Sequence, residues 1–125
     1  MKKILLAGGL MLGLSGCSTI SMVTGASVSP NQVYVTGNAF VAAEASATQY
    51  LNLPTCPVKT GLCKTAAGVK AVVVAVRSAR KAVSDMVAYA AANPGQVVPV
   101  SLYNTAVSAV DGMQTAVTQY SAMKN

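Results

Sequence analysis

The sequence predicts an all-α fold, a small antiparallel three-helix bundle behind a flexible N-terminal segment. Apolar residues recur every three or four positions in three separate stretches, as on one face of a helix. Short segments containing proline and glycine separate these stretches, and short connections join antiparallel helices. A chain of 125 residues has room for one small domain. The alternative is a hairpin of the second and third helices, with a weaker first helix beside it.

The first helix is predicted over residues 30–52. Ser29, Pro30 and Gln32 suit its start, because serine can cap, proline fits the first helical position and glutamine completes a capping-box spacing. Residues 33–36 also have strand propensity, so helix and strand both remain open there. The predicted apolar face consists of Val33, Thr36, Phe40, Ala43, Ala47 and Tyr50.

The second helix is predicted over residues 65–92. Its valine run at 72–74 favours a strand locally, but the whole stretch is too long for an ordinary strand. Asn93, Pro94 and Gly95 end the helix, since a residue before proline is pushed away from helical angles. The predicted apolar face consists of Val69, Val72, Val76, Ala79, Val83, Met86 and Ala90.

The third helix is predicted over residues 100–123, with its start near Pro99 or Ser101. Gly112 lowers helix propensity by about 1 kcal/mol relative to alanine, but on a face of small residues it would allow a close helix crossing. Such faces can also pair with a second copy, so a homo-oligomer is the alternative to an internal core. The predicted apolar face consists of Leu102, Ala106, Ala109, Met113, Ala116, Tyr120 and Met123.

The first residues of the chain have the organisation of an export signal. Lys2 and Lys3 precede an apolar run over residues 4–14. This run is too short to cross a hydrocarbon core of about 30 Å, which needs about 20 helical residues. Ser15 and Gly16 are small residues typical of a signal-peptide cleavage end. The segment before residue 17 is therefore predicted to be a cleaved signal peptide.

Residues 14–17, Leu-Ser-Gly-Cys, resemble the lipobox of bacterial lipoproteins. The resemblance covers residues 1–17 only, and the competing interpretation is a secretory signal with a chance cysteine. It implies cleavage before Cys17, diacylglycerol on its sulfur and a fatty acyl chain such as palmitate on the new amino group. Ser18 implies sorting to the outer membrane, facing the periplasm. Residues 17–29, without charge or periodicity, are predicted to be a flexible lipid-anchored tether.

The remaining cysteines, Cys56 and Cys63, predict a structural disulfide in the first connection. An even number of cysteines in an exported protein favours a bridge. A tetrahedral zinc site would need ligands that the chain lacks, since it contains no histidine. The spacing also differs from the Cys-x-x-Cys motif of redox enzymes.

The composition argues against catalysis. The chain has no histidine and only three acidic residues, Glu44, Asp85 and Asp111. Most acid–base and metal chemistry therefore lacks its usual residues. No glycine-rich phosphate or dinucleotide motif is present. We expect no enzyme activity, metal or cofactor apart from the covalent lipid at Cys17.

The second helix carries a concentration of basic residues, and we take them as a candidate surface for an anionic partner. Lys70, Arg77, Arg80 and Lys81 lie within it, with Lys70, Arg77 and Lys81 at spacings that share a helix face. Lys81 and Asp85 are placed to pair at i, i+4. The partner would be a lipid headgroup, lipopolysaccharide, cell-wall polymer or acidic protein. The competing interpretation is a solvated face that keeps the helix soluble.

These observations predict a lipid-anchored envelope protein that acts as a structural or interaction module. Its expected partners are membrane lipid, through the anchor, and an envelope protein or other anionic surface. Nucleic acid is not expected, because export removes that partner. The alternative function is the carriage of a small apolar or amphiphilic ligand between the helices.

Overall fold

The computed structural model describes residues 22–25, 27–58 and 61–122. Its helices are α1 (Pro30–Leu51), α2 (Ala66–Ala92) and α3 (Val100–Ser121). Each helix packs against both of the others, and the described ranges contain isolated β-bridges but no strand. The predicted all-α three-helix bundle is confirmed. The helix bounds agree with prediction within two residues, although the predicted end of the third helix at residue 123 lies outside the described ranges.

The helix α2 runs antiparallel to α1 and α3. Gly68, near the start of α2, lies against Tyr50 at the end of α1 and Tyr120 at the end of α3. Farther along α2, Arg80 pairs with Glu44 in the middle of α1. Residue numbers therefore rise along α2 as those of its neighbours fall, as the two short connections predict.

A capping box fixes the start of α1. The Gln32 amide donates to the Ser29 hydroxyl at 3.3 Å, and the Ser29 amide donates to the Gln32 side-chain carbonyl at 2.7 Å. One turn later, the Thr36 hydroxyl donates to the Gln32 carbonyl at 2.9 Å, which lets this polar side chain be fully buried. Residues 33–36 are therefore helical, and the strand alternative is wrong.

The buried face of α3 is rotated by about one residue from the predicted face. Ala106 and Met113 are buried as expected, whereas Ala109 and Ala116 are only partly buried. Both sets of positions satisfy the helical spacing. The valines of the observed set remove more apolar area from water than alanines would. The buried residues are Tyr103, Ala106, Val107, Val110, Met113 and Val117.

The close helix contact expected at Gly112 is absent from the described structure. Apart from its chain neighbours and the local backbone of α3, no described atom lies within 4 Å of a β-carbon added at Gly112. The residue is exposed. The close contact occurs at Gly68, where an added β-carbon would overlap the Tyr50 hydroxyl and lie 2.8 Å from the Tyr120 ring. Gly68 is buried at the first turn of α2, so it allows this end of the bundle to close.

The described part of the predicted tether is docked on the bundle. The Val23 amide donates to the Asn104 side-chain carbonyl at 3.1 Å, and the Asn104 side-chain amide donates to the Val23 carbonyl at 3.1 Å. Val28 forms an antiparallel β-bridge with Val98, and both side chains are buried. Residues 22–25 and 27–29 therefore belong to the folded domain, while residues 17–21 lie outside the described ranges.

Candidate functional site

A disulfide closes the connection between α1 and α2. Cys56 and Cys63 are bonded, with their Cα atoms 5.2 Å apart, which confirms the predicted pair. The Cys56 amide donates to the Lys64 carbonyl at 3.1 Å, and the Lys64 amide donates to the Pro54 carbonyl at 2.9 Å. The peptide bond before Pro57 is cis. The connection is thus a hydrogen-bonded, covalently closed loop.

Side chains at the loop ends fasten it to both helices. The Lys64 ammonium donates to the Leu51 carbonyl at the end of α1, where a cation favours the helix dipole. The Thr65 amide donates to the Tyr50 hydroxyl at 3.3 Å, and the Thr65 hydroxyl accepts from the Gly68 amide at 3.0 Å. Tyr50 therefore links the end of α1 to the capping residue of α2, and this fixes where α2 begins.

The basic residues of α2 fall into two sets. Lys70, Arg77, Arg80 and Lys81 are all exposed. Lys70, Arg77 and Lys81 lie on the side of α2 opposite its buried positions. Arg80 lies toward α1 and pairs with Glu44. The candidate surface of four residues therefore consists of a face of three, which we call the basic face, and Arg80, which forms an inter-helix ion pair.

The ion pairs leave two cations of the basic face uncompensated. Lys81 donates to Asp85 at 2.7 Å, which confirms the predicted i, i+4 pair. Within the described ranges, neither Lys70 nor Arg77 takes part in an ion pair. The basic face thus offers two free positive charges to an anion, with a third cation already paired.

A shallow groove of about 410 Å³ runs beside the basic face, between α2 and α3. Ser78 and Thr105 bring hydroxyl groups next to the cationic side chains, and both residues also line a second groove together with Met22. Hydroxyl donors beside cations suit a carboxylate or phosphate oxygen. The lining residues are Arg77, Ser78, Lys81, Ala82, Asp85 and Thr105.

The acidic residues do not come together as a site in the described structure. Glu44 and Asp85 each lie beside a cation, and Asp111 is exposed. The described ranges contain no group of three or more cysteine, aspartate or glutamate residues placed to hold a metal ion.

Two adjoining apolar grooves lie between the first half of α1 and the last turns of α2. Their volumes are about 270 and 310 Å³, and they share Val33, Tyr34 and Ala90. Tyr34 is 74% exposed. Its position off the apolar stripe of α1 is the sequence signal that indicates this exposure. None of the five grooves described is lined by all three helices.

The predicted lipidation residue, Cys17, lies outside the described ranges. None of the helices within those ranges combines the length and hydropathy that crossing a membrane requires. Comparison of the chain with protein-family models, curated proteins and solved structures gave no match.

Proposed function

We propose that this chain is a small lipid-anchored lipoprotein of the bacterial envelope, and that its helical domain is a non-enzymatic interaction module. The observation that carries the proposal is the Leu-Ser-Gly-Cys segment that ends at Cys17 and resembles a lipobox. The Cys56–Cys63 disulfide supports export, because disulfides persist in oxidising compartments. Ser18 favours the outer membrane, with the domain in the periplasm.

The interaction surface we propose is the basic face of α2. Lys70 and Arg77 are exposed and have no ion pair within the described ranges. Arg77 also lines a groove in which Ser78 lies on the same wall and Thr105 on the other, each with a hydroxyl group. This combination favours an anionic partner in the envelope, held through charge-assisted hydrogen bonds. Lys81 becomes the third available cation of the face when it releases Asp85 and pairs with the partner instead.

Replacing Cys17 with serine tests the anchor. We expect Cys17→Ser to move the protein from the membrane to the soluble fraction and to abolish labelling by radioactive palmitate, because the acylated sulfur is gone. The matched control is the double variant Cys56→Ser/Cys63→Ser, which removes the disulfide but keeps Cys17. Unchanged membrane retention of Cys17→Ser would contradict the proposal.

Crosslinking in intact cells tests the basic face. We expect Lys70→Gln/Arg77→Gln to lose envelope partners that the parent protein recovers, because both uncompensated cations are removed. Gln114→Glu/Gln119→Glu is the matched control, since it changes the net charge equally at exposed positions of α3. If the Lys70→Gln/Arg77→Gln variant recovers the same partners as the parent, the face serves only solubility.

Carriage of a small apolar ligand is the second candidate, and the pair of grooves around Tyr34 is the observation that favours it. These grooves lie at the surface between two helices. A fluorescent fatty-acid analogue should bind the parent protein and bind Ala90→Glu more weakly, since Ala90 lines both grooves. Equal binding by the two proteins would exclude carriage in these grooves.

A further inference from the structure

Charge is separated along the bundle axis. Residues 22–43 and 86–110 contain no Asp, Glu, Lys or Arg. Their described residues form the segment before α1, the first part of α1, the end of α2, the connection over residues 93–99 and the first half of α3. We call this part of the molecule the uncharged end and the opposite part, with the disulfide loop, the charged end. The uncharged end can therefore lie against a low-dielectric surface, whereas the charged side chains of the other end would lose their hydration there at a high cost in free energy.

The uncharged end also exposes large apolar side chains. Val97 in the connection is 55% exposed, and Tyr34 on α1 is 74% exposed. Val87 on α2 is exposed as well. Apolar and tyrosine side chains are favourable at a bilayer interface, whereas charged side chains are costly within the hydrocarbon. This composition fits a lipid surface better than an anionic protein.

The path of the chain limits which end can lie near the anchor. Met22 lines a groove together with Ser101, Thr105 and Ala109, in the first half of α3. The five peptide units between Cys17 and Met22 span at most about 18 Å in any conformation. Sixteen residues of α3 separate Thr105 from Ser121, which is about 24 Å of helix. When the bundle stands upright, a protein anchored through a lipid on Cys17 therefore cannot place its charged end on the same bilayer.

We infer that the uncharged end rests on the lipid bilayer that holds the Cys17 anchor, and that the basic face of α2 is exposed to the periplasm above it. This inference rests on the proposed lipidation of Cys17. The hydrogen bonds between Val23 and Asn104 keep the tether short, and Val97 and Tyr34 contact the headgroup region. The bilayer thus orients the module with its free cations accessible to a partner.

Single tryptophan reporters test the orientation, because the chain contains no tryptophan of its own. Val97→Trp reports the uncharged end. Val74→Trp is its matched control, since Val74 is 59% exposed on α2 in the charged part of that helix. Tyr34→Trp is a second reporter at the uncharged end. The lipidated full-length product is reconstituted in phosphatidylcholine vesicles that carry brominated acyl chains, after circular dichroism shows parental helix content.

We expect Val97→Trp and Tyr34→Trp to show blue-shifted emission and loss of intensity in brominated vesicles, and Val74→Trp to show neither. Vesicle flotation is measured on the same samples. If the protein does not float, the anchor is absent and both proposals fail. If it floats but the uncharged-end reporters are unquenched, only the orientation is wrong. Quenching of Val74→Trp equal to that of Val97→Trp, with or without added phosphatidylglycerol, would show the bundle lying flat and would also overturn the orientation.

Discussion

The two ends of the bundle are held together in different ways. At the charged end, a disulfide, the Lys64 contact with α1 and the hydrogen bond between Thr65 and Tyr50 fasten the connection. At the uncharged end, burial of Val98 against Val28 and the hydrogen bonds between Val23 and Asn104 hold the adjoining segments. A covalent bridge therefore closes one end, whereas apolar burial and hydrogen bonds close the other.

The difference follows from the size of the local core. The cluster of buried residues at the charged end has four members, Ala47, Tyr50, Val72 and Val117. The main cluster is larger and includes Met86, Val98 and Tyr103 near the uncharged end. A small core gives little stabilisation, so small domains commonly add a disulfide. The disulfide therefore lies at the end of the bundle that has the smaller buried cluster.

The largest effect is expected from removing packing near the uncharged end. Met86→Ala should lower the free energy of unfolding by about 2–5 kcal/mol, because a fully buried side chain leaves a cavity. Urea unfolding followed by circular dichroism measures the change. The exposed neighbour is the control, and Val87→Ala should stay within about 0.5 kcal/mol of the parent. Similar losses in the two variants would show that packing does not hold this end.

Removing the disulfide should have the next largest effect. Cys56→Ser/Cys63→Ser should lower the free energy of unfolding by about 2–3 kcal/mol, as the chain-entropy model gives for so short a loop. Hydrogen exchange should accelerate first at the end of α1 and the start of α2, while amides around Met86 keep their protection. Uniform acceleration along all three helices would contradict a local role for the bridge.

A pair of glycine substitutions should change stability in opposite directions. Gly68→Ala should lower the free energy of unfolding by about 1–3 kcal/mol, because the added methyl group overlaps Tyr50 and approaches Tyr120. Gly112→Ala should raise it by about 0.5–1 kcal/mol, because alanine favours the helix and meets open space. Thermal unfolding of both variants makes the comparison. A stable Gly68→Ala protein would mean that this end of the bundle is loosely packed.

The smallest effect on stability is expected from breaking the ion pair between Arg80 and Glu44, which lies midway along the bundle. Glu44→Gln should lower the free energy of unfolding by no more than about 1 kcal/mol, because Arg80 remains well solvated. The difference from the parent should shrink in high salt, which screens exposed charges. A salt-independent loss would indicate a packing role for the Glu44 side chain.

Much of the fold was predictable because local signals agreed with the long-range pattern. The capping box at Ser29 and Gln32, the stripe of α2 and the cysteine pair each needed only neighbouring residues to be interpreted. The buried face of α3 was missed because two stripes one residue apart both satisfy the helical spacing. Only packing against the other helices selects Val107 and Val110 over Ala109.

The candidate site was predicted in part. The spacing placed Lys70, Arg77 and Lys81 on one face, and the pair between Lys81 and Asp85 followed from their positions. The pairing of Arg80 with Glu44 joins residues on different helices, which helical spacing within α2 cannot reveal. The docking of residues 22–25 and 27–29 was missed for the same reason, since Asn104 and Val98 are distant in sequence.

The contact between Val23 and Asn104 has a consequence for how a surface-bound molecule finds its partner. With anchorage at Cys17, a free tether up to Ser29 would reach about 40 Å, whereas a tether that ends at Met22 reaches about 18 Å. Because a lipid anchor diffuses laterally, the shorter tether would thin the layer above the membrane that the domain samples by a factor of about two. The effective concentration of the domain near a membrane partner would rise by a similar factor. On the proposed lipidation of Cys17, two hydrogen bonds of a single asparagine would thereby favour encounter with a partner that they do not contact.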